Sequence, residues 1–122
     1  MYVQRHIVNL TTDVAGDCTA YSPAISGLLS QIRYIKTDFA NGVDFVITCE
    51  TTGETLWSQT NVDASVTKAP RQAIHGTDGI ALVFIAAGQP INDAIAICND
   101  RVKIVIANGG ATTTGAIHIV LI

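Results

Sequence analysis

The side chains that could carry chemistry are few and widely spaced in the sequence. The histidines are His6, His75 and His118, and no serine lies in a G-x-S-x-G context. A metal centre or a catalytic triad needs several such groups to converge. His6 and His118 lie among aliphatic residues, whereas His75 lies in a polar stretch. Ordinary strand and loop histidines are therefore the better interpretation.

The acidic residues are no more indicative of a reaction. Glu50 and Glu54 flank a Thr-Thr-Gly turn, and a carboxylate pair could serve glycoside hydrolysis, but residues beside a turn are usually solvated. The Asn and Asp residues near Gly16 and in residues 92–100 lack the dense alternation of a calcium loop and are typical of turns. The phosphate-binding pattern GxxxxGK[ST] is absent. We expect no enzyme activity, no metal and no cofactor.

The three cysteines indicate where the chain is made. Cys18, Cys49 and Cys98 are odd in number and far apart, which favours reduced thiols in a cytosol over a disulfide framework. Cys49 falls on the apolar phase of a strand-like segment, so a small buried side chain is expected there.

Length and composition bound the class of protein. The 122 residues suit one domain, residues 1–122, and 48% of them are hydrophobic while 14% are charged. The net charge of −3 leaves no evident basic face, so nucleic acid is a poor partner, and no apolar run is long enough to span a membrane. So little charge favours a homo-oligomer in which a partner covers part of the surface.

Strand-like patterns recur about eight times, and helix signals are nearly absent. Asn41-Gly42 between two apolar runs predicts a tight hairpin, and Gly53 marks the next turn. We therefore expect an all-β fold, an antiparallel β-sandwich with a jelly roll as one form of it. The expected strands are residues 2–10, 18–21, 28–37, 43–50, 54–59, 80–86, 101–107 and 115–122, with 94–98 open between a strand and a helical turn.

Two segments are candidates for contact with a partner. Residues 61–78 are polar and read as a long loop or arm, with room for one short strand. The last strand is apolar on both faces and ends at the final residue, so its cover must come from the rest of the fold or from a neighbour. The candidate contact residues are Trp57, Arg71, His75, His118, Val120 and Ile122.

The sequence resembles a family of small virion structural proteins of tailed bacteriophages. The resemblance rests on TTDVAGD at residues 11–17, KTDFANGVDF at 36–45, TGETLW at 52–57 and NDRVKIVIANGG at 99–110. These motifs consist largely of turn and strand residues. The resemblance implies a β-sandwich accessory component of the virion, made in the host bacterial cytoplasm.

Within that family, the resemblance implies a capsid cement or decoration protein first and a tail or baseplate component second. The partner would be the major capsid protein or another virion protein. A lectin-like module that uses Trp57 and residues 61–78 to bind surface glycans is the alternative from a different class. Exposed aromatic residues around a concave pocket would favour the lectin, and an apolar patch shared between subunits would favour the structural role.

Overall fold

A computed structural model describes residues 2–122 and places ten strands in two antiparallel sheets. The all-β class expected from the sequence is confirmed, and the sheets are consistent with a β-sandwich. The strands are β1 Gln4–Thr11, β2 Cys18–Tyr21, β3 Ile25–Lys36, β4 Val43–Cys49, β5 Thr55–Val62, β6 Val66–Lys68, β7 Arg71–Ala73, β8 Asn92–Asp100, β9 Val102–Ala107 and β10 Thr114–Leu121.

The larger sheet is built around the long strand β3. Its strand order is β1-β10-β3-β8-β7, and β6 also pairs with β3. One side of β3 pairs with β10, while the other side pairs first with β8 and then with β6. The register between β3 and β8 shifts around Gly27, whose φ of 149° few other residues adopt. The strand β10 therefore lies inside this sheet, between β1 and β3.

The smaller sheet has the order β2-β9-β4-β5. The strands β4 and β5 form a hairpin across residues 50–54, where Gly53 has a φ of 72°. Val43, Phe45, Ile47 and Cys49 point into the core from alternate positions of β4, as the sequence pattern predicts.

Aromatic side chains join the two sheets. Tyr34 of β3 and Phe45 of β4 have ring centroids 5.2 Å apart, and Phe45 meets Trp57 of β5 edge to face at 4.6 Å. Phe39, from the connection between β3 and β4, stacks against Tyr34 at 6.1 Å. Gly115 leaves room for the Phe39 ring, since a Cβ at that position would collide with it. Burying these rings supplies a large share of the apolar area removed from water.

The predicted hairpin at Asn41-Gly42 is wrong. The strands β3 and β4 belong to different sheets, so residues 37–42 cross from one layer to the other. Of the two turn residues, only the second, Gly42, has a positive φ, at 84°. The two tight hairpin turns require a positive φ at both central residues (type I′) or at the first (type II′). Phe39 is buried within this connection, and its packing carries the chain across the core instead of back along β3.

The segment 61–78 holds more structure than the expected loop. It begins with the end of β5 and contains both β6 and β7. The segment 94–98 is a strand, since it lies within β8. The expected strand at 80–86 is not formed, and that difference bears on the candidate site below.

We predict that Tyr34→Phe leaves the protein at least as stable as the wild type. The Tyr34 hydroxyl is buried and has no hydrogen-bond partner in the described part of the chain, and burial raises its pKa to about 12. Removing a buried, unsatisfied hydroxyl should raise the free energy of unfolding by up to about 1 kcal/mol in urea denaturation. Tyr34→Leu is the control, because loss of the ring should destabilise the core. A clear loss of stability in Tyr34→Phe would contradict this account.

Candidate functional site

Trp57 belongs to the core and not to a contact surface. Its side chain is 8% exposed, packs on Phe45, and donates from Nε1 to Gln59 Oε1 at 3.1 Å. A stacking platform for a sugar needs an exposed ring face, and this ring lies between the sheets. The structure therefore does not favour Trp57 as a contact residue, although the sequence made it a candidate.

The C-terminal strand is not an exposed edge of the sheet. The sequence alone left open whether its cover comes from this chain or from a neighbour. The backbone of β10 is paired with β1 on one side and with β3 on the other. The pairing extends to the last residue, where Ile122 and Leu28 exchange backbone hydrogen bonds at 2.9 and 3.0 Å. Val120 is 8% exposed between its cross-strand neighbours Arg5 and Gln31, whereas the Ile122 side chain stays partly exposed. The cover of this strand comes from the chain itself.

Arg71 holds the edge of the larger sheet together. Its Nη1 donates to the backbone carbonyls of Pro70, Ser30 and Leu29 at 2.9, 3.0 and 3.3 Å. These bonds tie the start of β7 to β3 near the point where β3 changes neighbours. The guanidinium is therefore engaged within the chain, which leaves it fewer donors for a partner.

The segment that leaves the sandwich is residues 74–91, which we call the arm. It continues from β7 and returns into β8. Its base is closed by three backbone hydrogen bonds of 2.9 Å, from Ile74 to Ile91, from Leu82 to Ile74 and from Ile91 to Leu82. His75 lies in this base, opposite Ala81 in an isolated bridge.

The outer part of the arm exposes large apolar side chains. Phe84 and Ile85 at its tip are 71% and 73% exposed, and Ile80 is 67% exposed. Leu82 and Val83 between them are also exposed. Exposed apolar residues are ordinary when scattered singly, but a contiguous group is typical of an interaction surface.

The prediction of a buried strand at 80–86 is therefore wrong. The chain turns at its tip, where Gly88 donates to the Ile85 carbonyl and Ala87 takes a φ of 62°. In the part of the chain that the structure describes, this segment pairs through two isolated bridges, His75 with Ala81 and Val83 with Pro90. A continuous apolar run does indicate burial, but the cover is not provided by the described residues of this chain.

A second surface feature combines residues from three strands of the larger sheet. On its outer face, His118 of β10 lies opposite Ile7 of β1 and Arg33 of β3. Arg5 donates from Nη1 to His118 Nδ1 at 3.0 Å, and Arg33 donates from Nη1 to Thr67 Oγ1 at 2.7 Å. We call Arg5, Arg33 and His118 the cationic row.

The cationic row lacks carboxylate partners. The ion pair between Arg101 and Glu50 is the one formed within residues 2–122. Burial lowers the pKa of His118, and the positive charges of Arg5 and Arg33 lower it further. The sequence indicates that Arg33 points outward, but it could not show that β1 brings Arg5 beside His118, 113 positions away.

The carboxylates with shifted pKa values perform structural tasks. Asp100 is buried and accepts hydrogen bonds from Thr51 N, Thr51 Oγ1 and Arg101 N. Glu50, one of the two carboxylates weighed for glycoside chemistry, forms a bidentate ion pair with Arg101, which also covers the Tyr21 ring at 4.1 Å. The Arg101 side chain lowers the pKa of Glu50.

The remaining predicted groups do not form one site. Cys49 is buried as expected, and its pKa is raised chiefly by that burial, whereas Cys98 is exposed. Across residues 2–122, no three His, Cys, Asp or Glu side chains come together as metal ligands would. The same residues enclose no detectable pocket, and no helix among them is long and apolar enough to cross a membrane.

Comparisons with models of protein families, with curated proteins and with solved structures find no match for this chain.

We predict that Asp100→Asn lowers stability at neutral pH more than in acid. Desolvation alone would raise the pKa of Asp100, but the hydrogen bonds from Thr51 and Arg101 outweigh it and the pKa is lowered. A lowered folded-state pKa stabilises the fold above the unfolded value of about 3.9, and this contribution is lost as the pH falls through the folded value. The difference in melting temperature between the two proteins should therefore be larger at pH 7 than at pH 3. A difference that grows in acid would contradict this assignment.

Proposed function

We propose that the chain is a non-enzymatic virion structural protein of a tailed bacteriophage, a capsid cement or decoration protein that binds and stabilises the shell as a homo-oligomer. The observation that carries this proposal is the apolar arm. Its five large exposed side chains would be unfavourable on a free surface, and contact with a further protein would remove them from water. The virion part of the proposal rests on the resemblance of the turn and strand motifs to small structural proteins of tailed bacteriophages.

The shape of the molecule supports an assembly role for the arm. The sandwich has its own continuous core of buried residues from both sheets, so the arm is not needed to complete that core. A closed body with a projecting apolar segment can contact a neighbour without unfolding any of its own strands. We propose that the arm contacts a second copy of the chain, and that the resulting oligomer docks on the major capsid protein, where several copies would bind with avidity.

The groups with shifted pKa values also fit a structural protein. Asp38 accepts hydrogen bonds from the Thr114 backbone and hydroxyl, and these lower its pKa. Glu50 and Asp100 are engaged with Arg101 and Thr51. These groups hold turns and strand ends, which accounts for their pKa shifts without a reaction. A lectin-like role loses its expected aromatic platform, because Trp57 is buried.

The arm is tested by the double change Phe84→Asp and Ile85→Asp. Both side chains are exposed, so the melting temperature should stay within about 3 °C of the wild type. Light scattering should give a multiple of 12.9 kDa for the wild type and a monomer for the variant. The matched control is Val14→Asp, in a turn far from the arm in the sequence, where an apolar side chain is 83% exposed. This control should assemble like the wild type.

The virion role is tested by adding the purified protein to phage particles that lack it. Wild-type protein should bind heads and raise their resistance to heat, whereas the arm variant should bind more weakly because it lacks avidity. Binding to tails instead of heads would move the protein to a tail or baseplate role. A wild-type protein that is monomeric and binds no particle would overturn the proposal.

A further inference from the structure

The cationic row has the composition of a site for a negatively charged partner. Arg5 and Arg33 flank His118 from the neighbouring strands β1 and β3, on a sheet face that water can reach. A chain with a net charge of −3 would be expected to pair such arginines with its own carboxylates. It uses those carboxylates elsewhere, chiefly on backbone amides and turn residues.

Among residues 2–122, the strand positions next to the row carry no opposing charge. The outward positions next to it are Ile7 and Asn9 on β1, Ala116 and Val120 on β10, Gln31 and Ile35 on β3, and Thr67 on β6. All of them are neutral, so the field of the two guanidinium groups is not cancelled locally. An arriving anion would meet an imidazole, the guanidinium group of Arg33 directly opposite it, and that of Arg5 from a diagonal position on β1.

We propose that the cationic row binds carboxylate side chains of an acidic polypeptide segment. The planar guanidinium group matches a carboxylate through two parallel hydrogen bonds, which a single lysine could not provide. The Ile7 side chain beside the row is 54% exposed and suits a protein surface, where apolar and charged contacts are mixed. Nucleic acid fits less well, because its affinity grows with the number of phosphates neutralised and the row offers two permanent charges.

The hydrogen bond within the row links binding to pH. Arg5 donates to His118 Nδ1, so this nitrogen is unprotonated and the proton of the neutral ring lies on Nε2. The groups that face His118 are Arg5 from β1 and Arg33 from β3, and both disfavour its protonation. A bound carboxylate would offset these charges and favour the imidazolium form. Binding should therefore tighten as the pH falls towards the pKa of His118 in the complex.

The test uses a fluorescent ten-residue glutamate peptide as the probe and anisotropy as the readout. Arg5→Gln and Arg33→Gln should each weaken binding about three- to fivefold. The double variant should bind more weakly than either single variant, but the two effects need not multiply because both arginines adjoin His118. The matched control is Lys103→Gln on β9 of the other sheet, which removes one positive charge and should change affinity less than twofold. High salt should weaken wild-type binding.

The role of His118 is read separately, by nuclear magnetic resonance. Its imidazole pKa should rise on addition of the peptide, and His118→Gln should abolish the gain in affinity between pH 7.5 and pH 5.5 while binding at pH 7.5 remains. A ten-nucleotide thymidine strand that binds more tightly than the peptide would overturn the choice of carboxylates. Equal peptide affinity in the wild type and the double arginine variant would overturn the site itself.

Binding by the row does not depend on the proposed virion role, because the row lies on β1, β10 and β3, whereas the arm is the segment between β7 and β8. Peptide binding without particle binding would leave the row assigned and the virion proposal rejected. If the double arginine variant still binds particles and the wild type binds no peptide, the site at the row is rejected and the virion proposal stands.

Discussion

The contact between Tyr34, Phe45 and Trp57 is the interaction on which the rest of the structure depends. These rings come from β3, β4 and β5, so they join the two sheets at one place. Phe39 adds a fourth ring from the connection between the layers. Since each sheet alone would expose an apolar face, this packing removes both faces from water at once. The outward faces are then free to carry charge, as in the cationic row, because their side chains are not needed for the core.

The arm follows from the same constraint. Residues 74–91 connect β7 to β8 at the edge of the larger sheet, and none of them belongs to the buried core. Their apolar side chains therefore find no cover in the sandwich, although their composition is that of a core strand. A segment with a core composition and a surface position is the physical basis for proposing a protein neighbour.

Features that depend on local pattern could be predicted from the sequence. The alternation in β4, from Val43 to Cys49, fixes both the strand and its buried face. The turn at Gly53 likewise joins β4 and β5 as expected. The polar segment 61–78 shows the limit of this approach, since β6 and β7 are too short to produce a periodic signal and form because β3 and β8 offer free edges.

The errors have physical causes that a sequence does not display. Asn41-Gly42 permits a hairpin, but the burial of Phe39 decides that the chain crosses between sheets instead. The apolar run at 80–86 indicates burial without saying which molecule provides it. In the cationic row, the sequence pattern predicts that Arg33 points outward. Its proximity to Arg5 and His118 could not be predicted, because it depends on the pairing of β1, β10 and β3.

The central claim is that the arm is covered in the working state of the protein. Hydrogen–deuterium exchange of peptides from residues 74–91 tests it most directly, with peptides from β3 as the internal reference. The account predicts that arm amides exchange quickly in dilute protein and at least about tenfold more slowly in the assembled state, while β3 amides stay unchanged. Equal exchange of the arm in the two states would contradict the account.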